Sequence, residues 1–312
     1  MPNLLYYDDR FLQHATGRHP ECALRLSTCT THIRQVGVWQ LWEHPTWQPA
    51  TVEHLNLVHE PALSTRIQQM AQQGGGQIDA DTVVSPASYD VALLAVGAAV
   101  DATRKVVQGD AGRAFCLVRP PGHHATHDTS MGFCLFNNIA VAAKLAIEKL
   151  GLNRVLIVDW DVHHGNGTQD IFWRDGRVGF FSMQRYPFWP GSGDKDARGE
   201  GPGLGFTRNL PVRHGTDRET ILTTFEQQLH AFADQVRPEL VLISAGFDAH
   251  REDPIGDLGL TTDDFGRLTE IVVQVADTWS QGRIVSLLEG GYHPQRLAES
   301  VELHLRALAI ET

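Results

Sequence analysis

Between Val158 and His164 the chain reads Asp159-Trp160-Asp161-Val162-His163, so acidic or imidazole groups alternate with apolar ones. In an extended segment alternate side chains share a face, which lines up Asp159, Asp161 and His163 and turns Trp160 and Val162 into packing. Three ionisable groups on one side of an otherwise apolar strand are costly to bury unless a cation or hydrogen bonds compensate them. Carboxylate and imidazole donors suit Zn²⁺, and a catalytic zinc keeps three protein ligands plus an open position. The residues assigned to that donor set are Asp161, His163 and Asp248.

Two adjacent imidazoles, His123 and His124, follow the stiff turn Pro120-Pro121-Gly122. Water activated at a metal needs a base within hydrogen-bond reach, and each imidazole needs a partner to fix its tautomer. Asp159 and Asn166 are the partners expected, one for each ring. Tyr292 comes after Gly290 and Gly291, whose lack of a side chain lets the backbone bring a phenol close to a reacting centre as an oxyanion donor. Each feature alone has a plainer explanation as a capped strand end, a surface histidine pair or simple packing. Their convergence favours a site.

The elements that must bring them together are short apolar runs, each followed by a polar, glycine-bearing turn and then by helical periodicity. Strands are expected at 113–118, 155–158, 178–183, 240–244 and 283–288, and amphipathic helices at 88–108, 138–150, 217–235 and 262–281, with Asp217 and Thr262 as N-caps. This alternation predicts βαβ units around a parallel sheet buried on both faces. Ligands of open α/β sheets bind beyond the carboxyl ends of the strands. Those ends carry RPPGHH, DWDVHHGNG, AGFDAH and EGGYH, and so deliver His123, His124, Asp159, Asp161, His163, His164, Asp248 and Tyr292 toward one edge. The one long irregular stretch, 186–206, has the length of a functional loop. GxxxxGK[ST], HExxH and GxSxG are absent, which removes the usual support for a nucleotide hydrolase, a zincin or a serine hydrolase.

Composition sets the outer limits. The 312 residues, without internal repeats or a Pro/Gly/Ser-rich linker, read as one catalytic domain over 1–312. A formal net charge of −11 argues against direct nucleic-acid binding and favours a cationic substrate. Cys22, Cys29, Cys116 and Cys134 form no CxxC pair and are expected as free structural thiols. No apolar run approaches a membrane span and no secretory leader is apparent, so a cytoplasmic location is expected.

RPPGHH, GFCLFNN, VDWDVHHGNGT, LISAGFDAH and LEGGY, in this order, resemble the histone deacetylase family, nearest its class II branch, from about Tyr6 to Ile310. The resemblance implies the arginase/deacetylase α/β fold, a mostly parallel sheet of about eight strands between helical layers. It implies Asp161, His163 and Asp248 as zinc ligands, His124 as general base and then acid, His123 as its electrostatic neighbour, and Tyr292 as the group that polarises the scissile carbonyl. Asp159 pairs with the first histidine, and Asn166 with the second where class I has Asp, which leaves His124 less biased toward its charged form. Phe133 and Trp189, with Gly132, Gly290, Gly291 and Ile255, match the substrate channel, and Asp81 its rim. Asp159, Asp161, His163, Ser182 and Met183 match a structural potassium site, and Arg25 a buried arginine in the acetate-release region.

The implied reaction is metal-assisted hydrolysis of an acyl-lysine amide on a protein or of a small acylated amine. Acetylpolyamine hydrolysis is the nearest rival, but Ile255 stands where polyamine-selective relatives place a Glu for a second substrate cation, which favours acyl-lysine. A two-manganese ureohydrolase would need a denser set of bridging ligands, and Fe²⁺ is compatible with the same donors. From another class comes a catalytically silent, metal-holding interaction module, but no ligand, base or tyrosine is missing. Acyl chain length and oligomeric state are not encoded legibly.

Overall fold

The computed structural model describes residues 1–309, so Ile310, where the resemblance ends, lies outside the described residues. In chain order the elements are β1 (Asn3–Tyr6), α1 (Ala23–Gln35), α2 (Val52–Leu55), α3 (Pro61–Gln72), β2 (Gly76–Gln77), β3 (Val83–Val84), α4 (Ser88–Gln108), β4 (Arg113–Cys116) and α5 (Asn138–Glu148). They continue with β5 (Val155–Asp159), α6 (Asn166–Phe172), β6 (Val178–Arg185), β7 (Thr207–Val212), α7 (Arg218–Val236), β8 (Leu240–Ala245), α8 (Thr262–Trp279), β9 (Ile284–Leu288) and α9 (Pro294–Leu308). Among the described residues the main sheet has seven strands rather than about eight, in the order β1-β4-β9-β8-β5-β6-β7, and every pairing in it is parallel. β2 and β3 form a separate antiparallel ribbon.

The central strands are apolar throughout because both faces are covered. α4 and α5 pack together on one face, while α7, α8, α9 and α1 pack in succession on the other. All residues of β4, β5, β8 and β9 are buried. The chain moves outward from β5 to β6 and β7, then returns to lay β8 and β9 on the other side of β5. The β5–β8 boundary is therefore a topological switch point, where the loops above the sheet diverge and leave a crevice.

Local signals explain most element ends. Asp217 caps α7 by accepting from the Thr220 amide at 3.1 Å, as expected. The cap of α8 is Thr261, not Thr262: its hydroxyl and amide both engage Asp264 in a capping box, which a one-residue misreading of Thr261-Thr262 obscured. The cysteines are free, and no disulfide joins described residues. No described helix is long and apolar enough to cross a membrane.

The apolar core closes around one histidine far from the sheet edge. His304 of α9 lies with its ring nitrogens 2.7 Å from the Thr269 hydroxyl and 2.8 Å from the Ser286 hydroxyl, and burial lowers its pKa to about 3. A depressed histidine pKa means that the unfolded chain takes up a proton that the folded chain refuses. The contribution to stability is therefore whole above about pH 6.5 and drains away toward pH 3, by up to roughly 1.4 kcal/mol per pH unit. His304→Gln is expected to melt below the native protein at pH 7 but to lose less in going from pH 7 to pH 5. Calorimetric melting curves that shift in parallel for the two proteins would refute this.

Candidate active site

β4, β9, β8 and β5 are neighbours in the sheet although far apart in sequence, so the four motif-bearing turns share one stretch of its carboxyl edge. Beyond β5 the chain does not stay extended. The Asp161 amide donates to Asp159 Oδ1 at 3.1 Å and the His163 amide to Asp161 Oδ1 at 2.9 Å, so successive side chain-to-backbone turns replace the expected strand. The outcome for the side chains is retained, with Trp160 and Val162 fully buried. Asp248, after β8, accepts from the Val162 amide at 2.9 Å, and the Gly290 amide donates to Asp161 Oδ2 at 2.8 Å.

Asp161, His163 and Asp248 are all buried, and their candidate donor atoms lie within 4.8 Å of one another. His163 Nδ1 is 3.1 Å from Asp161 Oδ1 and 3.1 Å from Asp248 Oδ2. Burial and the neighbouring charge of Asp161 push the Asp248 carboxyl up to about 7, whereas Asp161, facing His123 and His163, is held below its usual range against its own burial. Two buried like charges on one imidazole are what a divalent cation among the three would relieve. The space for one is visible in Gly290: a Cβ there would fall 2.3 Å from Asp248 Oδ2 and 2.5 Å from Asp161 Oδ2.

The histidine pair is split electrostatically. His123 Nδ1 bonds Asp159 Oδ2 at 3.0 Å; burial alone would depress this ring, but the charges of Asp159 and Asp161 carry its pKa up to about 10. His124 lies against it with centroids 3.9 Å apart and planes tilted by 42°, and burial, then the charge of His123, drive its pKa well below the ordinary value. His124 Nδ1–H donates to Asn166 Oδ1 at 2.7 Å, which leaves Nε2 as the unprotonated nitrogen. Each expected partner is in place.

Tyr292 is buried, its ring 5.6 Å from that of Phe133 and 4.9 Å from the Arg25 guanidinium. Burial and the charge of Asp248 raise its phenol, so it remains a donor at any ordinary pH. The Tyr292 amide donates to Asp253 Oδ2 at 2.6 Å. Arg25 Nε donates to Gly291 O at 2.6 Å and a second nitrogen to Glu289 O, which fixes the glycine turn from below. Gly290 faces the two aspartates, while Gly291, at φ 119°, packs on Leu297.

At the rim, Gly132 is pressed between His124 and Trp189, since its Cβ would come within 2.6 Å of both rings. Trp189 meets His124 edge-on at 4.6 Å and is 42% exposed. The Phe133 amide donates to the Thr82 hydroxyl, which places Asp81 one residue from the aromatic wall, with its carbonyl bonded to His19. The Ile255 amide donates to Asp253. Ser182 is the register partner of Asp159, with Met183 next on β6. His164, expected at the edge, turns away: it bonds Ser192 and Gln169 and anchors the 186–206 loop.

Several residues escaped the sequence reading. Glu289 accepts from the Gly122 and His123 amides and the Ser244 hydroxyl, and so holds the His-His turn; burial lifts it to about 7. Glu21, fully buried, binds both Arg25 and Arg119. Asp253 fastens Tyr292. Their signal was present, an acid directly after the apolar run of β9 and another four residues before Arg25, but nothing in the spacing names a partner.

A parallel sheet with its donors at a switch point belongs to the arginase/deacetylase class of α/β folds, and the HDA15 HD domain superposes with a TM-score of 0.94, at 33% identity, over 99% of this chain and 89% of that one. A histone deacetylase domain profile matches residues 19–308, and the chain belongs to the histone deacetylase family. An uncharacterized protein of Synechocystis sp., slr0245, is 40% identical over 311 residues, 97% of this chain and 98% of that protein. The polyamine deacetylase HDAC10 of Homo sapiens is 38% identical over 322 residues; the match takes in 98% of this chain but 47% of HDAC10, so the chain spans about half the length of that relative.

Gly290→Ala tests the cradle directly. The backbone conformation at Gly290 tolerates a side chain but the two carboxylates do not, so the variant is expected to keep its circular-dichroism spectrum and to lose bound divalent metal on dialysis, as read by elemental analysis. Native metal content in a folded G290A protein would contradict the assignment.

Proposed function

We propose that this chain hydrolyses the amide of an acylated amine, with acetyl-lysine as the leading substrate, using a divalent ion held by Asp161, His163 and Asp248. Zinc is the first choice on donor chemistry. One observation carries the reading: the three-donor cluster sits beside two histidines in ring contact, 3.9 Å between centroids, each held by its own partner and driven in opposite directions electrostatically. Groups forced apart in this way divide acid and base roles at one pH.

The ion, when bound, supplies Lewis acidity at the carbonyl oxygen and lowers the pKa of water. Neutral His124, its Nδ1–H fixed by Asn166, accepts the proton of the attacking water at Nε2. The water oxygen bonds to the carbonyl carbon, and the Tyr292 hydroxyl donates to the developing oxyanion. His123, held cationic by Asp159, adds positive charge beside the same centre. The C–N bond then breaks as the proton on His124 passes to the leaving nitrogen, giving a carboxylic acid and an amine, and the acid's proton passes on to the amine to leave a carboxylate and an ammonium. Arg25, fully buried and 4.9 Å from the Tyr292 ring, is the cation this reading assigns to the departing carboxylate. A structural K⁺ at the ends of β5 and β6 belongs to the same reading, supported by the oxygen-rich pairing of Asp159 with Ser182.

A specific observation favours a second substrate. The 38% identity to a protein named as a polyamine deacetylase supports a small acetylated polyamine. Apolar Ile255 in the turn held by Asp253 offers no charge to a second ammonium and favours acyl-lysine. Turnover of acetylspermidine against an acetyl-lysine peptide separates the two.

With the peptide, hydrolysis is expected to vanish on chelation and return with Zn²⁺, and Tyr292→Phe to lower kcat by about 10²–10³. Turnover that persists without metal, or undiminished in Tyr292→Phe and His124→Ala, would count against the mechanism. Asn166→Asp places a negative charge on His124 Nδ1 and raises its pKa. Because the base acts when neutral, the acidic limb of kcat/KM is expected to move to higher pH by about one unit or more. An unmoved profile would exclude His124 as that base.

A further inference from the structure

His163 lacks the support that usually orients a metal-binding imidazole. Its Nδ1 faces the two aspartates, but no described group hydrogen-bonds its other nitrogen. Such a bond normally fixes both ring rotation and tautomer. Here the ring is held by faces and edges. Phe188 stacks on it with centroids 5.2 Å apart and planes 19° from parallel, and Trp189 closes a side edge-on at 5.9 Å.

Arg185, the last residue of β6, places its guanidinium carbon 4.3 Å from the centroid of the same Phe188 ring. Phe188 therefore contacts both the imidazole and the guanidinium. Arg185 also reaches the chain on both sides of the donor set. Its amide donates to Val162 O at 2.9 Å, between Asp161 and His163. Its Nη1 donates to Gly256 O at 2.8 Å and to Asp257 O at 3.3 Å. The Asp257 amide in turn donates to Asp248 O at 2.9 Å, and Gly256 lies so close to that carbonyl that a Cβ would fall 2.0 Å from it. One residue thus joins the segments that carry all three donors, its backbone amide holding Val162 and its guanidinium holding the Gly256–Asp257 turn beside Asp248.

We propose that Arg185 is a positioning residue for the metal centre, acting on His163 through the Phe188 stack and on Asp248 through the Gly256–Asp257 turn. The proposal rests on the reading of Asp161, His163 and Asp248 as metal ligands. Lysine is not equivalent here: an ammonium donates to the two carbonyls but lacks the planar face that stacks on an aromatic ring. The two functions of the side chain can therefore be separated by substitution.

The test loads native protein, Arg185→Lys, Arg185→Gln, Phe188→Leu and the Gln/Leu double variant with Co²⁺. It records the visible absorption of the bound ion, which reports ligand geometry, and the rate of release to excess chelator. Arg185→Gln and Phe188→Leu are expected to release Co²⁺ on the order of tenfold faster and to shift the visible bands, with Arg185→Lys intermediate. The double variant is expected to be no worse than the poorer single one, because both break the same stack. Native release rates and spectra in Arg185→Lys and Phe188→Leu would overturn the proposal, and those two variants decide it even where Arg185→Gln fails to fold. Failure of the native protein to take up Co²⁺ is a different result, which overturns the metal reading beneath.

Discussion

Fully buried carboxylates crowd one edge of an apolar sheet in this protein: Asp159, Asp161, Asp248, Glu289 and Glu21. Each buried charge costs several kcal/mol even after local relaxation, so the fold holds only where each one meets a donor or a cation. The compensation is specific. His123 takes Asp159, Arg25 and Arg119 take Glu21, two amides and a hydroxyl take Glu289, and His163 stands between Asp161 and Asp248. The last pair shares a single imidazole, and it is there that the proposed divalent ion would complete the balance.

This constraint explains why the glycines of the site are where they are. Gly290 faces Asp161 and Asp248, Gly165 lies against Asp159, and Gly246 against Asp161, each so close that a methyl group would displace a carboxylate oxygen. Backbone amides approach the acids directly because no side chain intervenes. Positive partners therefore come from the main chain as well as from histidine and arginine. Preorganised charge of that kind is what the proposed hydrolysis would draw on to stabilise a developing oxyanion.

Much of this was legible before any coordinates. Side chains with metal-binding or proton-handling chemistry announce themselves, so Asp161, His163, Asp248, the His123-His124 pair, Asn166 and Tyr292 could be proposed from motifs at strand ends, and the fold brings them to one edge of the sheet. Residues that act through another residue do not. Glu289 looks like an ordinary end to a strand, Asp253 like half of a turn, and Arg185 like a surface cation, because the partner of each lies tens of residues away. The fold divides similarly. Runs of Val, Ile and Leu marked the central strands, whereas β7, with Pro211 and a half-exposed pattern at the sheet edge, has no such run, and α1 is rich in Ser and Thr. The turns after Asp159 show the limit of periodicity: alternation gave the right faces, but side chain-to-backbone bonds, not a strand, produce them.

The strand order has a consequence for how the polypeptide is made. β9 is the last strand in sequence yet lies inside the sheet, between β4 and β8. A nascent chain that has emerged only as far as α8 therefore carries two unsatisfied inner edges of bare backbone amides and carbonyls, flanked by apolar side chains, the feature that invites intermolecular pairing. The slot closes in one late step, when residues 284–288 enter and bring Glu289 and Tyr292 with them. During synthesis, completion of the proposed site and protection of the inner edges thus depend on the same event, the insertion of a single five-residue segment.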